Sequence, residues 1–431
     1  MNDLPKRESD IENDIEAALV DEHGLVRSAL NMDTMKPFSP GYFKGMNIHD
    51  YPGRNWENFS EYMEYENVGM CSGAYLAAMI WKYRATKNPD ALEKAFRTFK
   101  GIKWLFDASQ EIDEGYYCKC YGGKMSEQIS SDQYIYTFAG LDEFMDFAAH
   151  HERSQCAGMI DKMVRFWMRR NYSYPYFGKP LDWPIERFPA FAWLAYQHTG
   201  KKEFYDEFMR LCSIPETMEK IPFVGCSSFE DVLKKAGERE PWFEFEKNSG
   251  RRLISLNPEG TESGFLSLEA LLEYNAPHRK IWLEKTWKMF DLNRRWMTDD
   301  GYSMYWCLYN MKTGEITEVR EVLNCPQQSD RWKFFGFVGW IRSGMRSAMF
   351  ARAGVAIQAY FPGAPILETT AHILKNLTRD KLRWLADMDG KQFPPDLKWM
   401  GNVYSGDAAT HWLWAYWEAC ARYGTRWHER F

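Results

Sequence analysis

Residues 125–140 read Met125-Ser126-Glu127-Gln128-Ile129-Ser130-Ser131-Asp132-Gln133-Tyr134-Ile135-Tyr136-Thr137-Phe138-Ala139-Gly140. A polar, turn-prone segment ends in two serines and an aspartate. A helix of mixed aromatic and small residues then begins and is predicted to run to about Ala149. Ser130 or Ser131 is a good N-cap, and Asp132 falls in the first turn, facing the positive end of the helix dipole. Alone, such an aspartate merely caps a helix. The rest of the chain gives it company.

The same kind of segment recurs. Asn67–Tyr83, Asp132–Ala149, Trp183–His198, Glu262–Tyr274, Phe334–Ala356 and Asp407–Tyr423 are rich in small and aromatic residues and poor in charge. Helices apolar nearly all round are buried. Between them lie amphipathic segments with one charged face: Pro89–Ala108, Glu152–Arg170, Lys201–Cys212, Arg279–Trp296 and Leu367–Leu385. Turn residues such as Lys87-Asn88-Pro89 and Thr199-Gly200-Lys201 join them. Buried helices alternating with half-wet ones predict two concentric rings, an all-α (α/α)6 barrel of six helical hairpins. An α-solenoid is the alternative, but its repeats would be more uniform in length. Strand signals are few. Tyr302–Tyr309 and Ile316–Val322, joined through Thr313-Gly314, predict one β-hairpin. Residues 1–60 are polar, then irregular, and read as an N-terminal extension packing on a single barrel domain over 61–431.

Composition narrows the function classes. The 431 residues include 19 Trp, 24 Tyr and 28 Phe, which supplies a large core and flat apolar faces of the kind sugar rings pack on. A net charge of −6 argues against a nucleic-acid partner. No run of 18 apolar residues is present, so no membrane span is expected. The nine cysteines include no CxxC, and there is no HExxH. Free, buried thiols fit a reducing, cytoplasmic setting, with no metal and no cofactor expected.

In a six-hairpin toroid the N-terminal ends of all inner helices gather at one mouth. Glu66 and Asn67 precede the first. Glu127, Gln128 and Asp132 precede or open the second, which also carries Tyr134. Trp183, Glu186 and Arg187 sit at the third, and Glu262 at the fourth. Arg331 and Trp332 precede the fifth. Tyr404 and Asp407 stand at the sixth, with His411 one turn on. Carboxylates interleaved with Trp and Tyr point to a carbohydrate cleft, where paired carboxylates do acid/base work on glycosidic bonds.

Gly115-Tyr116-Tyr117-Cys118-Lys119, followed by Gln128, Asp132 and Tyr134-Ile135-Tyr136-Thr137-Phe138, resembles the unsaturated glucuronyl and rhamnogalacturonyl hydrolases of the six-hairpin glycosidase superfamily. The resemblance implies that Asp132 is the general acid/base, with Gln128 beside it. It protonates the C4=C5 double bond of an unsaturated uronide and activates water for attack at C5. Asn67 stands where that family has a second aspartate, Cys118 where it has a histidine, and Ser130-Ser131 where it has an aromatic residue. The partner carboxylate of Asp132 is then sought among Glu127, Glu186, Glu262 and Asp407.

The expected activity is therefore glycoside hydrolysis of oligosaccharides, uronic-acid-containing ones above all. Asp132, Glu127, Glu262 and Asp407 are the candidate catalytic residues. Asn67, Gln128, Tyr134, Trp183, Glu186, Arg187, Arg331, Trp332, Tyr404 and His411 are the candidate substrate contacts. A polysaccharide lyase or sugar epimerase on the same barrel, or a non-catalytic carbohydrate-binding toroid, are the alternatives. An epimerase would want paired histidines in the funnel.

Overall fold

The computed structural model describes the chain apart from residues 1–2, 47, 49–55, 177, 239–249, 256–257, 296, 305, 319–341 and 386–394. The chain opens with α1 (Leu4–Asp14), which has Asp3 as N-cap and Pro5 in its first turn. A π-helical turn over Ile15–Leu19 follows, then a short strand β1 (Ala29–Asn31) and α2 (Phe59–Tyr65). The first inner helix is α3 (Val68–Thr86), and α4 (Pro89–Ser109) returns outside it. A small ribbon, β2 (Cys120–Tyr121) and β3 (Lys124–Met125), precedes the second inner helix. That pair is α5 (Ser131–Met145) with α6 (His150–Arg169); the third is α7 (Pro189–Thr199) with α8 (Lys202–Cys212). Two short helices, α9 (Pro215–Glu219) and α10 (Phe229–Glu238), lead to strand β4 (Arg251–Ser255). Then come α11 (Pro258–Glu273) with α12 (Arg279–Arg294), and strands β5 (Trp306–Asn310) and β6 (Ile316–Glu318). The fifth pair is α13 (Gly344–Tyr360) with α14 (Ile366–Asn376). Strand β7 (Val403–Ser405) leads into the last inner helix, α15 (Gly406–Tyr423).

The inner helices are α3, α5, α7, α11, α13 and α15. Successive neighbours pack together along the ring from α7 through α11, α13 and α15 to α3 and α5, and α5 also meets α11. The sequence-predicted concentric rings are thus present. The ring closes where α15 meets α3, and α1 covers α15 from outside. Leu4, Ile11, Ile15 and Leu19 are buried there. Arg7 Nη1 donates to the carbonyls of Leu374, Lys375 and Leu377, satisfying orphan acceptors at the C-terminal end of α14. No described helix is long and apolar enough to cross a membrane.

Small residues let inner helices approach to backbone contact. A Cβ on Gly73 of α3 would lie 2.3 Å from the Tyr136 carbonyl oxygen, and one on Gly140 of α5 would lie 2.5 Å from that of Gly73. The two glycines therefore face each other across the α3–α5 crossing.

Three expectations need revision. The third inner helix was expected from Trp183, but its α-helical part begins at Pro189, after a 3₁₀ turn over Ile185–Arg187. Trp183 sits in the preceding loop, its backbone N–H bonded to the Tyr172 carbonyl. The outer segment expected over Leu367–Leu385 stops at Asn376, whose side-chain amide turns back to the His372 carbonyl. Beyond it a 3₁₀ turn over Arg379–Lys381 leads into a strand-like strap. Trp384 N–H donates to Val403, Ser405 N–H to Leu382 and Gly344 N–H to Arg383. The strap must lie on α13's first turn, because a Cβ at Gly344 would meet the Lys381 carbonyl at 2.2 Å. Of the hairpin expected over Tyr302–Tyr309 and Ile316–Val322, residues 305 and 319–322 lie outside the described residues; the rest forms β5 and β6, with Gly314 at positive φ in the turn, and β4 extends it to three antiparallel strands. Of the fifth inner segment, residues 334–341 lie outside the described residues, and the described helix begins after its Ser343 cap.

Replacing Gly73 by Ala separates two effects. Helix propensity alone would favour Ala by about 1 kcal/mol, while forcing a methyl group into a filled crossing costs roughly 1–3 kcal/mol. Sterics should win, and Gly73→Ala is expected to lower the urea-unfolding midpoint. Gly158→Ala on α6, where nothing lies within 4 Å of the added Cβ, should raise it or leave it unchanged.

Candidate functional site

A pocket of about 170 Å³ opens where the N-terminal ends of α3, α5, α13 and α15 converge. Asp132, Asn67 and Asp407 line it together. Each is placed by the start of a helix. Asp132 lies in the first turn of α5, half-buried, with the Gln133 N–H donating to its Oδ1 at 3.0 Å. Ser130 holds the N-cap position and lines the pocket, but its hydroxyl makes no capping bond. Asp407, buried, lies in the first turn of α15 behind the Ser405 cap, whose hydroxyl accepts from the Ala408 N–H.

Asn67 occupies the N-cap position of α3, yet its side chain makes no capping bond. Gln133 does that work from the neighbouring helix. Its Oε1 accepts the N–H groups of Gly69 (2.9 Å) and Met70 (3.3 Å), two of the four orphan donors at the start of α3. Asn67 is thereby released to reach across the ring closure, where its Nδ2 donates to Asp407 Oδ2 at 3.0 Å.

The walls are aromatic and cationic. Tyr62, Tyr176 and Trp384 supply ring surface, with Trp384 carried in by the strap after α14. Lys119 and Arg346 are nearly fully buried at 3% and 1% exposure, so their charges are available only to what enters the pocket or to buried partners. Lys119 is ion-paired to Glu66, whose Oε2 also accepts from the Tyr121 hydroxyl at 2.7 Å. Strand β7 alternates as a strand should: Val403 and Ser405 face the pocket, while Tyr404 points away, its hydroxyl 3.4 Å from Asp14.

The remaining expected contacts are placed elsewhere. Glu127 is exposed on the loop before α5, and Gln128 is half-buried with its carbonyl accepting from Lys119 N–H. Tyr134 belongs to the core, its hydroxyl accepting from Tyr117 N–H among Phe138, Trp167 and Phe191. Glu186 is buried, and Arg187 stacks on Phe223 and donates to the Ser131 hydroxyl. The Trp183 indole donates to the Tyr174 carbonyl. Arg331 and Trp332 lie outside the described residues. Arg346, Trp384 and Gln133 were not singled out from the sequence. Each sits inside an apolar or strap segment whose pattern reads as core.

Glu262 and His411 form a separate layer beneath the pocket, both fully buried. His411 Nδ1 lies 2.7 Å from the Asp407 carbonyl, which can only accept, so Nδ1 carries the proton. Nε2 is then a bare acceptor, 3.1 Å from Glu262 Oε2. Tyr136 donates to the same Oε2 at 2.9 Å. Burial pushes the Glu262 carboxyl well above its usual range and the His411 imidazole down to about 3. Both shifts favour the neutral pair, with the proton on Glu262.

No family model matches the chain, and no curated protein matches it. Solved structures do. A heparin-specific unsaturated glucuronyl hydrolase superposes with a TM-score of 0.52 at 12% identity, covering 96% of this chain and 95% of that one. Cellobiose 2-epimerase from Bacillus thermoamylovorans B4167 gives 0.51 at 12%, covering 96% and 99%. A sugar epimerase from a ruminal bacterium gives 0.52 at 10%, again covering 96% and 99%. The chain has the six-hairpin (α/α)6 fold. Hydrolases and epimerases share that six-hairpin frame, so the likeness fixes the architecture, and the chemistry is argued from the pocket.

The Glu262–His411 layer predicts a particular pH dependence of stability. The His411 contribution is complete above the unfolded value of 6.5 and is lost as pH falls toward about 3. The Glu262 contribution is complete below its unfolded value of 4.5 and is lost as pH rises. Between those values the two slopes cancel, each being roughly 1.4 kcal/mol per pH unit. The pair itself therefore adds no net slope there, while Glu8, Glu64 and Glu143, each raised by burial to about 7, and Glu273, raised to about 8, make stability fall as pH rises through the same range. Above pH 4.5 the stability of Glu262→Gln should fall with pH less steeply than that of wild type, by roughly 1.4 kcal/mol per pH unit, and below it the two should run parallel; identical slopes above 4.5 would mean that Glu262 is ionised in the native state.

Proposed function

We propose that the protein is a glycoside hydrolase acting on oligosaccharides, uronic-acid-containing ones in particular, with Asp132 as general acid/base. The observation that carries this reading is the sharing of one pocket by Asp132 and Asp407, among three aromatic walls and two buried cations. The aromatic rings offer apolar faces to a sugar. Arg346 and Lys119 give a carboxylate or sulfate a charged environment, and an arginine fork suits a planar carboxylate.

Asp132, at the half-exposed rim, delivers a proton to the bond being broken and recovers one from the attacking water. On an unsaturated uronide the proton goes to the double bond; on a saturated glycoside it goes to the leaving oxygen, with Asp407 as the second carboxylate. The free, buried cysteines fit a reducing compartment such as the cytoplasm.

Sugar epimerisation is the second reading, favoured by the two epimerases among the structural neighbours. Against it, no histidine stands among the described residues lining the pocket, and His411 lies beneath it as a neutral, fully buried group.

The test uses Asp132→Asn against a panel of nitrophenyl glycosides, an unsaturated uronyl disaccharide and free disaccharides. Loss of the double bond's ultraviolet absorbance, or release of nitrophenol, reports hydrolysis; a new epimer without release of either sugar reports epimerisation. Asp132→Asn is expected to lower kcat/KM by about 10²–10⁴-fold with the fold intact. Wild-type turnover by this variant on the true substrate would end the assignment of Asp132.

A further inference from the structure

The carboxylate of Asp407 is met on both oxygens by donors from one face of α3. Asn67 Nδ2 donates to Oδ2 at 3.0 Å, and the Cys71 thiol donates to Oδ1 at 3.1 Å. The two donors are four residues apart, so one helical turn presents both. We propose that Gln133, Asn67 and Cys71 are positioning residues that hold Asp407 in its ionised form and in fixed register with Asp132, making Asp407 the second functional carboxylate of the pocket. This rests on the reading of the pocket as a hydrolase site.

The orientation of each group follows from its neighbour. Gln133 Oε1 must accept, because Gly69 and Met70 present backbone N–H groups to it. Its Nε2 therefore faces the other way, 3.5 Å from Asn67 Oδ1 and 3.4 Å from the Glu66 carbonyl. Asn67 is in turn set with its oxygen toward Gln133 and its amide toward Asp407. Cys71 is fully buried, and burial together with the Asp407 charge pushes its thiol well above its usual range, so it remains a donor. Gln133 follows Asp132 in the chain. The backbone that carries one carboxylate thus starts the series of contacts that orients the other.

Asn is among the best N-cap residues, and giving up its own cap costs about 1 kcal/mol unless another group takes over. Here a buried glutamine takes over. A merely structural asparagine would have no need of that exchange. Among the described residues, the other titratable groups around Asp407 include Arg346 on α13, Lys119 with its partner Glu66, Asp132 on α5, and the neutral His411 behind it. Lys119 is already paired, and Asn67 and Cys71 are donors that carry no net charge. They favour the anion by hydrogen bonding and also fix the direction of its lone pairs.

The experiment titrates the Asp407 carboxyl band by infrared difference spectroscopy of the unliganded protein, using Asp407→Asn to identify the band. In Asn67→Ala and Cys71→Ala the midpoint should rise by about one pH unit, because the charged form has lost a donor. Cys71→Ser, which keeps a donor, should stay close to wild type. If Cys71→Ala does not fold, Asn67→Ala, at a half-exposed position, carries the test alone. On the substrate that responds in the hydrolase assay, both alanine variants should lower kcat more than they change KM, and the acid limb of kcat/KM should move to higher pH. Midpoints and pH profiles identical to wild type would overturn the positioning role while leaving Asp132 in place. An active Asp132→Asn variant would instead overturn the site reading, whatever Asp407 titrates to.

Discussion

The barrel is closed at Ser28. Its N–H donates to the Glu64 carbonyl, its carbonyl accepts from Gly406 N–H, and its hydroxyl accepts from Asn67 N–H at 2.6 Å. One residue near the start of the chain thereby ties α2, α3 and α15 together. The pairing of β1 with β7, Ala29 opposite Ser405 and Leu30 opposite Tyr404, extends the tie by a few residues. Gly406 is required at the joint, since a Cβ there would sit 2.1 Å from the Arg27 carbonyl oxygen. A six-hairpin toroid has an intrinsic seam between its last and first inner helices. In this chain the seam is sealed by backbone hydrogen bonds, and Ser28, Asn67 and Asp407 all stand on it. The pocket depends on that closure, because it brings α3 and α15 into register.

Much of the architecture could be read in advance because burial leaves a strong mark on composition. α3 has no charge between Val68 and Trp81, and each of those residues is buried. No surface helix could have that sequence. Boundaries were less legible wherever a tertiary contact decided them. Asn376 ends α14 because the strap must cover Gly344 and pair with β7, and nothing local to residues 367–385 announces that. Pro189 starts α7 later than Trp183 because the loop before it is pinned to Tyr172.

The site was legible only in part, for a geometric reason. Asp132 announces itself through local sequence: a polar approach, serines and a first-turn carboxylate. Asp407 was visible as one of several first-turn carboxylates, but its link to Asn67 spans 340 positions and depends on how the ring closes. Taken singly, Cys71 and Gln133 read as packing, a cysteine and a glutamine inside apolar helices. One pattern did lie in the sequence. Asn67, the N-cap, and Cys71 are one turn apart at the start of a helix that carries no charge from Val68 to Trp81, and such spacing aims both at the same neighbour.

Burial explains why the two carboxylates that face the pocket and the one beneath it are suited to different work. Glu262 has lost its solvent and gained a neutral histidine and a tyrosine hydroxyl, so the protein keeps it protonated as part of the core. Asp407 is almost as buried, but the Asn67 amide and the Cys71 thiol both donate to its oxygens; a hydrogen bond to a charged acceptor is worth about 1.5–3 kcal/mol, and less from a thiol, which is a weak donor. Asp132 keeps contact with water. Three acids near the starts of α5, α11 and α15 thus differ in surroundings: Glu262 is sealed in the core, Asp407 is held by two neutral donors, and Asp132 stays open to water.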